Sequence, residues 1–176
     1  MNIYFQWLGL SPYDKALKHQ MDAAANVQDG GRDVVLACEH PNIVTLGKRS
    51  QGDGEFLVPR EVLQELKIDV AYVDRGGQAV FHNPGQLVIY PILALARYGL
   101  TVKDYVSCLE ETTQSFLESF GVDVTRRVEP GLWVDDKKIA YFGVRIDQGV
   151  TRHGVAINIT NDVSIFRVIK QCGLKI

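Results

Sequence analysis

GLWVDDKKIAYFGVRIDQGVTRHGVAINIT, residues 131–160, alternates apolar and polar positions over GLWVDDKKIAYFGVRID (131–147), which folds at Asp135-Asp136, and over GVTRHGVAINIT (149–160). A period of two with short polar breaks reads as antiparallel strands folded back on one another. Upstream, VDVTRR (122–127) reads as a further strand, and the run 102–120 carries Val102, Tyr105, Leu109, Phe116 and Phe120 at helical spacing up to a stop at Gly121. Thr101 is its predicted cap. IYFQWLG (3–9), DVVLACEH (33–40), NIVTLG (42–47), IDVAYV (68–73) and QLVIYPILAL (86–95) are further predicted strands. Two more helices are predicted. One is started by Ser11-Pro12 and carries Tyr13, Leu17 and Met21 until it fades near Asp29-Gly30-Gly31; the other is PREVLQELK (59–67). Asp162 can cap a last short helix, VSIFRVI (163–169). Helices are interspersed without regular βαβ alternation. The expected fold is therefore α+β, with a mixed, largely antiparallel sheet and flanking helices.

Composition limits what such a fold could do. At 176 residues, 46% hydrophobic and 23% charged, the chain is sized for one domain spanning 1–176 with a proper core. A net charge of -2 argues against general nucleic-acid binding. No apolar run approaches a membrane span, and the first residues lack a basic start followed by an apolar stretch, so a cytoplasmic location is expected. Cys38, Cys108 and Cys172 are odd in number and widely spaced, which indicates neither a disulfide framework nor a zinc site. No metal or cofactor is expected.

Four stretches could carry chemistry. RGGQAVFHNPGQ (75–86) reads as an irregular loop in which Gly76-Gly77 allows close backbone approach and Asn83-Pro84-Gly85 fixes a tight turn; it has the pattern of neither common phosphate-binding loop. Lys138 begins an apolar strand, where a lysine is ordinarily a solvated edge guard. His153-Gly154 interrupts its strand as a bulge would. Cys172, taken alone, reads as a small buried hydrophobe, as do Cys38 and Cys108.

Taken in order, EHPNIVTLG, RGGQAVFHNPGQ, KKIAYFGVRI, RHGVAIN and QCG resemble the lipoyl(octanoyl) transferase family from about Trp7 to Gly173. The resemblance implies the α+β catalytic domain shared with lipoate and biotin protein ligases, and transfer of an octanoyl or lipoyl group from acyl carrier protein to a lysine of lipoyl domains. Those domains belong to the 2-oxoacid dehydrogenase E2 subunits and the glycine cleavage H protein. It further implies Cys172 as the acyl-thioester and Lys138 as its activator. The positions matching the acyl-binding segments are Arg75, Gly76, Gly77, Gln78, Ala79, Val80, Phe81 and His82, then Tyr141, Phe142 and Gly143, then Gly154, Val155 and Ala156.

A thiolate relay suits a thioester donor and an amine acceptor, because thiol exchange conserves the activated acyl group. Glycines at 76, 77, 143 and 154 would let backbone N–H groups reach a thioester oxygen and let an acyl chain lie against the main chain. Phe81, Tyr141 and Phe142 are candidate tunnel walls. Lys48, Arg49, Arg145 and Arg152 are candidates for docking a negatively charged carrier, or plain solvated charges. The sequence departs from the family pattern with Val80-Phe81 before His82, Asn83 after it, and Gln171 before Cys172. Two other functions remain open at this level: an ATP-dependent lipoate-protein ligase, and a non-catalytic module that binds the acyl group or its carrier.

Overall fold

The computed structural model describes residues 3–128 and 130–170, so Cys172 and Gln171 lie outside the described residues. The chain builds a seven-stranded and a three-stranded sheet. In the large sheet the order is β1 (Tyr4–Leu10), β2 (Val34–Glu39), β6 (Gln86–Ile92), β10 (Val150–Asn158), β9 (Lys137–Asp147), β8 (Leu132–Val134) and β7 (Thr125–Arg126). Only β1 and β2 run parallel there; the other neighbours are antiparallel. The small sheet places β3 (Ile43–Leu46) between β4 (Asp69–Tyr72), which is parallel to it, and β5 (Ala79–His82), which is antiparallel. This is the mixed α+β architecture expected.

Side-chain alternation sorts the large sheet into two faces. Val88, Tyr90 and Ala156 pack on α1 (Tyr13–Gln28), while Leu87, Ile89, Val155 and Ile157 pack with Leu117 of α3 (Val102–Ser119). The core of the small sheet joins Val44, Leu46 and Phe81 to Leu63 of α2 (Arg60–Glu65), and to Tyr141 reaching over from β9. The two sheets therefore meet around β5, β9 and β10.

Local chemistry accounts for most boundaries. Thr101 and Asp104 form a reciprocal capping box at the start of α3. Gln86 N–H donates to Asn83 O while Gly85 takes φ +86, the geometry of a turn with proline second and a left-handed glycine third. Gln148 and Gly149 both have positive φ and connect β9 to β10 with two residues, as the right-handed strand twist prefers. Asp135, also at positive φ, does the same between β8 and β9.

Several sequence expectations change. A third of the loop read at 75–86 is strand, because Ala79–His82 finds its partner in β3, about 35 residues away in sequence. The strand read to Leu95 stops at Ile92, where Leu93 N–H turns to the Thr151 hydroxyl and Ala94 N–H to Asp33. Ser11 makes no side-chain cap; α1 starts at Tyr13, and its buried stripe is Tyr13, Ala16, Gln20, Ala24 and Val27, leaving Met21 exposed. The apolar stripe of α3 also shifts: Tyr105, Thr113 and Leu117 are buried, whereas Val102 and Phe120 face solvent. Asp162 does cap the last element, which is a 3-10 turn at Val163–Val168. Among the described residues no helix is long and apolar enough to cross a membrane.

Candidate active site

Where the sheets meet lies a cleft with ≈ 340 Å³ of unfilled space. Arg75, Val80, His82, Tyr141, Phe142, Gly143, Gly154, Val155 and Ala156, all drawn from the three candidate segments, line it. Four further residues complete the lining: Tyr13, Val88, Tyr90 and His153. Strand alternation divides the rest of the first segment. Val80 and His82 face the cleft, while Ala79 and Phe81 enter the small-sheet core, where the Phe81 ring centroid is 5.2 Å from that of Phe166. Phe81 is thus a core residue, unlike Tyr141 and Phe142, which do form walls. Gly76, Gly77 and Gln78 shape the rim through main-chain bonds: Gly76 N–H to Val144 O, Arg49 N–H to Gly77 O and Gly47 N–H to Gln78 O.

Arg75 is the strut of that rim. Only 6% exposed, its guanidinium donates to Gly76 O, Gln78 O, Thr45 O and the Thr45 hydroxyl, the last two at 2.7 Å. Its stem also explains one glycine. A Cβ on Gly143 would lie 2.8 Å from Arg75 Cδ, and one on Gly154 would lie 2.2 Å from Ile89 O. On the Cβ side, then, both glycines are demanded by close packing of protein, and the room expected there for an acyl chain is taken. Asn83, a departure from the family pattern, clamps two turns: its Nδ2 donates to Asp162 O and its Oδ1 accepts from Asn161.

The polar wall is a set of buried histidines with assignable protons. His40 Nδ1 lies 2.7 Å from Ser11 O, which can only accept, so Nε2 receives the Tyr90 hydroxyl at 2.7 Å. His153 Nε2 lies 2.7 Å from Asp74 Oδ1, leaving Nδ1 to the Tyr13 hydroxyl at 3.5 Å. Burial lowers His40, and lowers His153 against the opposing pull of Asp74; both are therefore neutral at pH 7. Burial works to raise Asp74, but hydrogen bonds from His153 and Arg152 outweigh it and hold the carboxyl at about 2. Burial also pushes the Cys38 thiol up to about 12, so this cysteine is inert, as a small core hydrophobe would be.

Lys138 is not the solvated edge guard that its position suggested. It is 7% exposed, with its amine 5.0 Å from the Tyr141 ring centroid and 5.4 Å from that of Trp133. Tyr141 is a wall of the cleft and also of a second, larger hollow, ≈ 1020 Å³, that Lys138 lines with Val134, Ile139 and Phe166. Tyr141 is thus common to the lysine's hollow and the histidine-lined cleft. Of the expected basic patch, Lys48 and Arg49 are exposed and their main-chain N–H groups hold the Arg75–Gly77 rim. Arg152 pairs with Asp74, and Arg145 lies 3.9 Å from the same carboxylate.

Residues 12–174 match the family model of the lipoyl protein ligase A/B catalytic domain. The chain belongs to that family. Within it the chain is an octanoyltransferase-type member: it is 39% identical over 172 residues to the octanoyltransferase of Desulfovibrio desulfuricans, covering 96% of this chain and 71% of the relative. It is 40% identical over 172 residues to that of Desulfotalea psychrophila, covering 95% and 77%. A crystal structure of lipoate-protein ligase A bound with ATP superposes with a TM-score of 0.79 at 16% identity, over 98% of this chain and 72% of that one, and so shares the fold.

The octanoyltransferase family's catalytic domain was legible from five ordered segments, but several lining residues were not. Tyr13 stands at a helix start, Tyr90 in an apolar strand, and His153 was set aside beside Gly154; nothing local separates them from core residues. The histidine's positive φ of 56, uncommon for a residue other than glycine, is the one local signal, and it needs coordinates to be seen.

Proposed function

We propose that residues 1–176 act as one octanoyltransferase catalytic domain that carries an octanoyl group from acyl carrier protein to a lysine of lipoyl domains, through a thioester on Cys172. The lipoyl domains of 2-oxoacid dehydrogenase E2 subunits and the glycine cleavage H protein are the acceptors. The observation that supports a lysine-assisted acyl transfer best is the burial of Lys138 against Tyr141, the ring that also walls the cleft. The amine also borders the larger hollow, which Val134, Ile139 and Phe166 line with it.

The chemistry balances in two exchanges. The Cys172 thiolate attacks the carrier thioester and expels the carrier's thiol, and the proton released by Cys172 goes to Lys138 and on to the leaving sulfur. The acceptor amine then attacks the enzyme thioester, expels the Cys172 thiolate and gives its surplus proton to the now neutral Lys138 amine, which restores the starting pair. Cysteine and lysine side chains ordinarily titrate near ~8.5 and ~10.4, so a nearby ammonium that favours the thiolate by one unit supplies about 1.4 kcal/mol. Lys48 and Arg49, with Arg145 and Arg152 behind them, offer a local positive rim to an anionic carrier on a chain of net negative charge.

Donor choice tests this against an ATP-dependent ligase. With octanoyl-acyl carrier protein and no nucleotide, the purified chain should acylate a lipoyl domain at its full rate; octanoate with Mg-ATP should give none. The reverse pattern would assign the ligase reaction instead, and binding of the donor without turnover would assign a non-catalytic module.

A further inference from the structure

His82 sits in the middle of a chain of hydrogen bonds whose donors all point the same way. Arg75 Nη2 donates to the Thr45 hydroxyl at 2.7 Å, and that hydroxyl lies 3.2 Å from His82 Nε2. His82 Nδ1 lies 2.7 Å from Gln86 Oε1; Gln86 Nε2 donates to Asn158 Oδ1 at 2.9 Å; Asn158 Nδ2 donates to the main-chain oxygen of Lys138 at 3.4 Å. The direction is fixed at its centre. Gln86 Nε2 faces two acceptors, Phe81 O and Asn158 Oδ1, so the glutamine must turn its oxygen to the imidazole. His82 Nδ1 then carries the proton, and Nε2 presents a lone pair to Thr45. The threonine hydroxyl has a second acceptor in reach, Val80 O at 3.3 Å, but turning there would set two lone pairs against each other. Thr45 and Gln86 are fully buried, so water cannot replace these links.

We propose that Thr45, Gln86 and Asn158 are positioning residues that hold His82 as the neutral Nδ1–H tautomer and tie the strand of Lys138 to it. His82 then serves the cleft as a fixed wall and not as a proton donor or acceptor, and the main chain of Lys138 is held in register with the acyl-binding rim braced by Arg75. Burial, the largest influence on the ring, favours the same neutral state. This inference deepens the proposed relay, since it takes Lys138 as the group that moves the relay's protons, but the tautomer belongs to the resting protein and can be read whether or not the relay operates.

The test begins with ring-nitrogen NMR on protein labelled with 15N-histidine, His82 being assigned by loss of its signals in His82→Asn. The expected spectrum at pH 7 has a protonated Nδ1 and an unprotonated Nε2; a protonated Nε2 would overturn the proposal without any variant. Gln86→Met removes the acceptor at Nδ1 and should switch the ring to the Nε2–H form, donating to Thr45. Asn158→Ala removes the last two links, from Gln86 to Asn158 and from Asn158 to Lys138, but Phe81 O still holds the glutamine amide, so the tautomer should stay while kcat falls about 10- to 100-fold, the scale on which a misplacement of about 1 Å acts. KM for octanoyl-acyl carrier protein should change less than about threefold, because Asn158 lines the hollow beside Lys138 but is not among the residues that line the cleft. An Asn158→Ala enzyme with wild-type kcat, or one whose loss lies in KM alone, would refute the link to Lys138.

Discussion

Replacing Lys138 with methionine should lower octanoyl transfer by a factor of about 10² to 10⁴ while leaving the protein folded. The expected size is that of a positioned proton-transfer group. Methionine has nearly the lysine stem's length and suits a site walled by Trp133 and Tyr141, so packing is largely conserved. Two measurements separate chemistry from folding: single-turnover transfer to a lipoyl domain, and the urea midpoint. A variant that keeps its midpoint and loses transfer supports the assigned role. Transfer within about threefold of the wild type would remove Lys138 from the chemistry and leave it as a buried structural lysine.

The second large effect concerns acid. His40, His82 and His153 are all lowered in the fold, chiefly by burial, whereas in the unfolded chain each titrates near ~6.5. A base with a depressed folded pKa leaves the unfolded chain holding more protons. Stability is therefore full above about pH 6.5 and is lost as pH falls below it. With three such groups the slope approaches about 4 kcal/mol per pH unit until the folded rings begin to protonate. Against a net stability of roughly 5–15 kcal/mol, a slope of that size is a large fraction of the total for each pH unit over which it acts. Asp74 extends the loss: its folded carboxyl sits at about 2, below its ordinary 3.8, so its contribution is present above about 4 and disappears as pH falls through 2. Urea midpoints at pH 7, 6 and 5 should drop progressively. A flat profile between 7 and 5 would mean that the histidines bind protons equally well in both states.

The same histidines show where sequence reading stops. Strands β9 and β10, the turn at Asp135-Asp136, the Asn83-Pro84-Gly85 turn and the cap on α3 were legible because each depends on residues adjacent in the chain. Strand β5 was not: Gly, His and Asn cluster around it, and only its pairing with β3 makes it a strand. The stripe of α1 was misjudged because Gln20 is buried on purpose, its side-chain oxygen taking His153 N–H at 2.8 Å across the sheet. Thr45, Gln86 and Asn158 carry no chemical signature in sequence, since a buried threonine, glutamine or asparagine is recognisable only by what it bonds. The five family segments found the cleft lining from Arg75 to Ala156. They did not reveal that Phe81 turns away from it, or that Gly143 and Gly154 are small because Arg75 and β6 press against them.

The central claim is the enzyme-bound thioester, and intact mass reads it directly. The protein is mixed with octanoyl-acyl carrier protein in the absence of a lipoyl domain, alongside a Cys172→Ala variant. The account predicts one octanoyl adduct that hydroxylamine removes, that a lipoyl domain discharges when added, and that the variant never forms. A wild-type protein that transfers octanoyl without passing through such an adduct, or a Cys172→Ala protein that forms it equally well, would contradict the account.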